Sequence, residues 1–177
     1  MKRIIVFFVA LMVVSSASIV AQKKGDMSLG GQLTFELTST SYIGSFDSVT
    51  ACTFSIQPQF DYFVADNLRI GAGLSYGILE NLHMLSLSPN IAYYVRLADK
   101  FYYTPTFSIS GGIITQGGGA VGMFGVGLSL FALEYKPSNH FAITTTLASL
   151  SYNIIDEATT FRLDLLNTPS VGFKYYF

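Results

Sequence analysis

Two histidines, one cysteine and a thin scatter of charge are what this chain offers to chemistry. His83 is the better supplied histidine, with Glu80 before it and Ser86 after it. A base, a hydroxyl nucleophile and a carboxylate are the parts of an acyl-transfer relay, provided that the fold aims them at one point. His140 follows Lys136-Pro137-Ser138-Asn139 and reads as a polar residue at the border of an apolar band. Cys52 on its own allows no internal disulfide, and no His, Cys, Asp and Glu set has metal-ligand spacing. Gly117-Gly118-Gly119 lacks the following Lys and helix of a phosphate cradle, and reads as a hairpin tip. The remaining candidates are single charges in apolar surroundings: Glu36, Asp61, Arg69, Arg96, Arg162 and Asp164. What they can do depends on which elements bring them together.

Composition restricts those elements. The chain is 50% hydrophobic, 15% aromatic and only 12% charged, with a mean hydropathy of +0.45. A soluble surface usually carries about 25–35% charged residues, so a water-facing exterior would be poorly solvated. Beyond the N-terminus, no run approaches the roughly 18 consecutive apolar residues of a membrane helix. A hydrophobic chain with neither feature fits strands that place apolar residues at every second position around a membrane barrel. Without Lys2 and Arg3 the chain is modestly acidic, which argues against nucleic acid as a partner.

Period-2 alternation divides residues 22–177 into about eight segments, each long enough for the roughly 9–11 tilted residues of a membrane strand. In the first, Leu33, Phe35 and Leu37 oppose Gln32, Thr34, Glu36 and Thr38. In the second, Phe54, Ile56, Phe60 and Tyr62 oppose Ser55, Gln57, Gln59 and Asp61. The third opposes Ile70, Leu74 and Tyr76 to Arg69, Gly71 and Ser75, and the fourth Leu85, Leu87 and Ile91 to Ser86, Asn90, Tyr94 and Arg96. The fifth runs from Phe101 to Ile114. The sixth sets Phe124, Val126, Leu128 and Leu130 against Gly125, Gly127 and Ser129. The seventh changes phase around Ala148-Ser149, which predicts a bulge. The eighth opposes Phe161, Leu163, Val171, Phe173, Tyr175 and Phe177 to Arg162, Asp164, Gly172, Lys174 and Tyr176. Pro58, Pro89, Pro105 and Pro169 fall inside these strands, where a missing donor is awkward. Three connections are short (Val64 to Asn67, Leu97 to Lys100, Lys136 to Asn139), and they alternate with longer or Gly-rich ones.

The ends complete the pattern. Met1-Lys2-Arg3, the apolar run Ile4 to Val14 and the small-residue stretch Ser15 to Ala21 form a secretory signal peptide. It is expected to be cut after Ala21, with Ala17 as the alternative, leaving 22–177 as one barrel domain. The segment Val171 to Phe177 ends mid-strand on an aromatic, and an open edge must find a partner. The nearest at hand is the first strand. Gly172-x-x-Tyr175-x-Phe177 resembles the C-terminal signal of Gram-negative outer-membrane β-barrels, which the barrel-assembly machinery reads.

Signal peptide, strand count, alternating turns and loops, and this terminal pattern together resemble the small OmpA/OmpX-type outer-membrane β-barrel family. The resemblance implies an all-β, closed, antiparallel up-and-down transmembrane barrel of about eight strands. It further implies a monomer in the cell outer membrane, surrounded by lipid and lipopolysaccharide, without cofactor or metal, in a structural, envelope-integrity or adhesion role. A lipid A-modifying enzyme using His83 and a narrow ion-conducting pore are the alternatives. A soluble lipocalin-like barrel fits less well, since the polar face is mostly Gly, Ser and Thr with few charges.

An eight-stranded interior is about wide enough for side chains to fill it, so its charges must pair. Glu36 is expected beside Arg162 and Asp164 in the outer half, and Asp61, Arg69 and Arg96 in a cluster at the periplasmic end, all as structural ion pairs. The outer loops carry Asp47, Glu80, Asp156 and Glu157 without Lys or Arg. Contact with lipopolysaccharide phosphates would then run through divalent cations. Cys52 is expected on the lipid-facing side.

Overall fold

The computed structural model describes residues 22–41, 48–79, 82–156 and 158–177, with side chains at all of these except 35–41, 48–53 and 166–169. It consists of ten β-segments: β1 (Met27–Ser41), β2 (Ser48–Ala65), β3 (Leu68–Leu79), β4 (Leu82–Tyr93), β5 (Val95–Ala98), β6 (Phe101–Tyr103), β7 (Thr106–Gln116), β8 (Gly119–Tyr135), β9 (Phe141–Ile155) and β10 (Ala158–Tyr176). Tyr94 alone separates β4 from β5, and Thr104-Pro105 separates β6 from β7, so the ten segments make eight strands. Each pairs antiparallel with its neighbour in sequence, and β10 returns to β1. This ring is the up-and-down arrangement that the alternation predicted.

Alternation along each strand becomes two faces of the ring. Leu33, Phe60, Leu74, Leu87, Phe107, Phe131 and Phe173 point outward and are exposed, whereas Ser28, Asp61, Arg69, Glu134 and Lys174 are buried inside. The polar groups are inside and the oily ones outside, the reverse of a water-soluble domain. A small aromatic core of Phe63, Tyr94, Tyr102 and Tyr176 fills one end of the interior. That end also carries the short turns at Asp66-Asn67 and Asp99-Lys100, where Asn67 and Lys100 both adopt φ of 62°. Residues 22–26 dock there too, Gly25 donating to the Phe63 carbonyl at 2.9 Å and Phe63 to that of Asp26 at 2.9 Å. At the opposite end Gly117 and Gly118, with φ of 56° and 91°, make a two-residue hairpin turn between the paired residues Gln116 and Gly119. Positive φ at both central positions is what a type I′ turn demands.

The prolines sit where a ladder can spare a donor. Pro58 pairs with Gly31 on one side, while the β2–β3 ladder skips from Ile56 to Gln59 on the other. Pro89 pairs with Ala72, and the β4–β7 ladder skips from Leu87 to Asn90. Pro105 lies in the β6–β7 break, where its carbonyl accepts from Tyr93 at 3.2 Å. Pro169 falls within the register shift between Leu165 and Ser170.

A phase change does occur in β9, but its extra residue is Leu147, one position before the expected pair, and a second one at Leu130 faces it in β8. Leu130 leaves its carbonyl out of the regular ladder, and the Tyr103 hydroxyl donates to it at 2.7 Å. Beyond Leu130 the even-numbered residues of β8 turn inward: Ala132 and Glu134 are buried while Phe131 is exposed. Leu130 therefore does not continue the outward series of Phe124 and Leu128.

The seam between β1 and β10 is short, running from Ser28–Tyr176 to Leu33–Val171. Two lumen-side glycines let it close. A Cβ on Gly30 would lie 2.4 Å from the Phe173 carbonyl oxygen and 2.7 Å from Lys174 Cγ. One on Gly172 would lie 2.6 Å from Thr144 Oγ1 and 2.8 Å from the Gly31 oxygen. Gly111, on the outer face, has open space around it.

Gly30→Ala is expected to destabilise the barrel by about 1–3 kcal/mol through overpacking, with Gly111→Ala close to neutral. Urea unfolding in detergent micelles measures both. Tyr103→Phe, which strips the bulge carbonyl of its donor, should cost about 1 kcal/mol in the same assay.

Candidate functional site

Four strands each send one charged side chain into the turn end of the lumen: Asp61 from β2, Arg69 from β3, Glu134 from β8 and Lys174 from β10. Arg69 Nη1 and Lys174 Nζ both lie 3.1 Å from Asp61 Oδ2, and Lys174 Nζ lies 3.6 Å from Glu134 Oε2. Lys174 thus bridges two carboxylates. Asp61 also accepts from the Ser28 hydroxyl at 3.1 Å and from Gln59 Nε2 at 2.6 Å. Glu134 accepts from the Tyr94 hydroxyl at 2.9 Å and the Tyr176 hydroxyl at 2.6 Å. Arg69 Nη2 donates to Asn90 Oδ1 at 2.9 Å. Two acids and two bases cancel, as charges withdrawn from water must.

Local sequence makes room for this network. Gly71 is the register partner of Asp61, and a Cβ there would lie 2.2 Å from Asp61 Oδ1. Phe63 packs edge-on against Tyr94 with ring centroids 5.1 Å apart, and Tyr102 flanks Tyr94 at 6.3 Å. From the turn below, Lys136 places its ammonium 3.6 Å from the centre of the Tyr176 ring. Burial lowers the pKa of Lys136 below that of an ordinary lysine. Charges, phenols and rings together form a plug across this end.

Beyond the plug the interior is hollow. A cavity of about 290 Å³ lined by Gln57, Asn90, Thr106, Ser108 and Lys174 lies next to it. A second, of about 360 Å³, shares Gln32, Ser129 and Thr146 with the first and reaches Arg162 and Asp164. Side chains were expected to fill this lumen. They do not, because the inward residues over this stretch are mostly Ser, Thr and Gly, too short to meet across it.

No family model matches the sequence, and no curated protein matches it. Among solved structures, the N-terminal β-barrel domain of Pseudomonas aeruginosa OprF superposes with a TM-score of 0.57 at 13% identity, over 88% of this chain and 100% of that domain. The chain has the fold of a small outer-membrane β-barrel. Neisserial surface protein A (TM-score 0.47, 15% identity, 86% of this chain and 95% of that one) is a weaker likeness. So is the attachment invasion locus protein Ail of Yersinia pestis (0.44, 14%, 87% and 99%).

Within this barrel the charges named from sequence separate. Asp61 and Arg69 meet in the plug, but Arg96 does not join them. It pairs instead with Asp99 at 2.9 Å, half-exposed at the rim, because the strand breaks at Tyr94 and the β5–β6 ladder shifts between Arg96 and Ala98. Arg162 Nε meets Asp164 Oδ1 at 2.7 Å. Glu36 pairs through its backbone with Thr53, and its side chain lies outside the described residues. Of the terminal pattern, Gly172 faces the lumen at the seam, while Tyr175 and Phe177 point outward with ring centroids 5.3 Å apart.

His83 lies on the outer face, where its Nδ1 is 2.9 Å from the Tyr76 hydroxyl and the two rings stack. Ser86, three residues on, points to the other face of β4. Glu80 lies outside the described residues, as do Asp47 and Glu157. His140 stacks on Tyr175 at the turn end, with Nδ1 3.1 Å from the Tyr176 carbonyl.

Glu134 is the site residue that sequence reasoning missed. The signal was present: Phe131-Ala132-Leu133-Glu134-Tyr135 alternates out of step with Val126-Gly127-Leu128-Ser129. Lys174→Met, which leaves two buried carboxylates short of their shared cation, should destabilise the barrel by about 3–5 kcal/mol. Adding Glu134→Gln should recover part of that loss, as measured by equilibrium unfolding of the single and double variants.

Proposed function

We propose that this chain is an integral outer-membrane barrel, exported through a cleaved signal peptide, with a structural or surface-interaction role and no catalytic one. The observation that carries the reading is the distribution of polarity. Large apolar side chains such as Leu33, Phe60, Leu87, Phe131 and Phe173 stand exposed on the outward side of most strands. A soluble monomer rarely leaves a contiguous apolar surface of more than a few hundred Å², whereas a bilayer is the solvent that such a surface fits. A ring of paired strands also bonds backbone groups strand to strand, and in hydrocarbon each unpaired one is costly. Tyr62, Tyr93, Phe101, Phe141, Tyr175 and Phe177 supply a girdle at the turn end, where aromatic rings favour the membrane–water border. Lipid and lipopolysaccharide are the surroundings this exterior suits, the barrel-assembly machinery is the expected reader of Phe177, and the barrel acts as a monomer.

The plug speaks for a wall rather than a passage. Four balanced charges and the phenols of Tyr94 and Tyr176, bonded to one another, obstruct the lumen at the turn end. The opposite orientation of His83 and Ser86 on β4 leaves no relay between them.

Outer-membrane fractionation followed by gel electrophoresis is expected to recover the protein with the outer membrane and to show different mobility before and after boiling. Recovery in a soluble fraction would overturn the reading. Planar-bilayer recordings of the purified barrel should be silent, and sustained conductance would favour a pore. His83→Ala cells should keep an unchanged lipid A profile by mass spectrometry.

A further inference from the structure

The segment entering β1 is seated with unusual care for a chain start. Lys23 N–H donates to Asp26 Oδ2 at 3.0 Å, Lys24 N–H to Asp66 Oδ1 at 2.9 Å, and the Gln22 carbonyl accepts from Asn67 N–H at 3.1 Å. These bonds draw Gln22 against the Asp66-Asn67 turn, where it is only 4% exposed. Among the described residues its side-chain nitrogen Nε2, buried there, has no hydrogen-bond partner. Its backbone nitrogen has one long contact, 3.4 Å to Asn67 Oδ1.

That environment is a poor match for glutamine once the chain begins at this residue, as cleavage after Ala21 requires. A free α-ammonium would bring a positive charge and three donors, and the side-chain amide two more. Among the described residues the place offers a single long acceptor contact to the backbone nitrogen and none to Nε2. Buried donors without partners, and charges withdrawn from water without compensation, both cost stability. The charged neighbours offer no clear relief: Lys23, Lys100 and Lys136 line the adjoining cavity together with Asp26 and Asp99.

We propose that Gln22, as the first residue of the exported chain, is converted to pyroglutamate, and that the barrel is built to seat the cyclised form. This rests on the exported-barrel reading and on cleavage after Ala21. In the reaction the α-amine nitrogen attacks the side-chain carbonyl carbon Cδ. The N–Cδ bond forms, the Cδ–Nε2 bond breaks, and ammonia leaves, taking up a proton released by the α-nitrogen. No electrons change hands and no co-reactant is consumed. The atom lost is Nε2, the one buried without a partner. The atom kept, the α-nitrogen, becomes a lactam N–H with one donor for its one acceptor at Asn67. The charge disappears in the same step. Because Gln22 is buried in the finished barrel, cyclisation precedes docking of the 22–26 segment, while the chain is exported and unfolded.

The test is mass spectrometry of the full chain purified from the membranes of the cell that makes it. Free amines are blocked by reductive dimethylation of the denatured, intact protein before chymotryptic digestion, so cyclisation during digestion is not counted. The expected N-terminal peptide starts at residue 22, is one ammonia lighter than the encoded sequence, and carries label on Lys23 and Lys24 but none on its α-nitrogen. A peptide starting at Gln22 with a labelled α-nitrogen would overturn cyclisation while leaving the exported-barrel reading and the cleavage site standing. A start at Ser18, or at Met1, would overturn the cleavage site and the proposal with it. Gln22→Ala has no side-chain amide to lose and should take the α-label fully. If it stayed unlabelled, the block would be of another kind and the proposal would fail.

Discussion

Everything in this barrel depends on the last strand finding the first. A sheet with an apolar outer face gains by pairing its edge N–H and C=O groups, and the short ladder from Ser28–Tyr176 to Leu33–Val171 joins its end strands near the turn end. Gly30 and Gly172 face inward along that ladder because a side chain at either would strike the opposite backbone. Once the seam is closed, Lys174 is delivered across Gly30 to within ion-pair distance of Asp61 and Glu134. Closure and plug are therefore linked through the same few residues.

The plug and the hollow beyond it show two solutions to one problem. A ring of eight strands encloses a space that water or side chains must occupy. At the turn end, Phe63, Tyr94, Tyr102, Tyr176 and four charges fill it, each carboxylate satisfied by several donors. Toward the opposite end Ser, Thr and Gly leave polar hollows with room for water, and the Arg162–Asp164 pair sits half-exposed among them. Burying four charges requires a rigid frame, and the aromatic packing around Tyr94 provides it, with Arg69 Nε left without a hydrogen-bond partner among the described residues.

Much of this was legible in the sequence, for a reason specific to strands. Period-2 alternation tells which face a residue takes without knowledge of its neighbours, so Leu33, Phe60, Asp61, Arg69 and Lys174 were assigned to their faces from spacing alone. That inference fails wherever the period is reset. The extra residue at Leu130 puts Glu134 in the interior, where the outward spacing of Phe124, Val126 and Leu128 carried onward does not lead, and the break at Tyr94 moved Arg96 from the interior to the rim. The strand prolines needed the pairing itself to be understood, since one strand cannot show which of its two ladders does without a donor. The lumen hollows were missed because ring width and side-chain reach were weighed by strand number, whereas the local run of short residues decides the outcome.

The paired bulges at Leu130 and Leu147 have a consequence for how this sheet can change over time. Ser129 faces Ser149 before them and Ala132 faces Thr146 after them, so the two strands slip together and emerge in their original register. In a closed sheet the stagger accumulated around the circumference must return each pleat to its own side, since a slip of one residue turns every later side chain inside out. Parity is thus conserved between β8 and β9. Insertions and deletions in the β8 and β9 walls can survive as a matched pair, as these two do, and a hairpin tip such as Gly117-Gly118 takes one without touching the ladder.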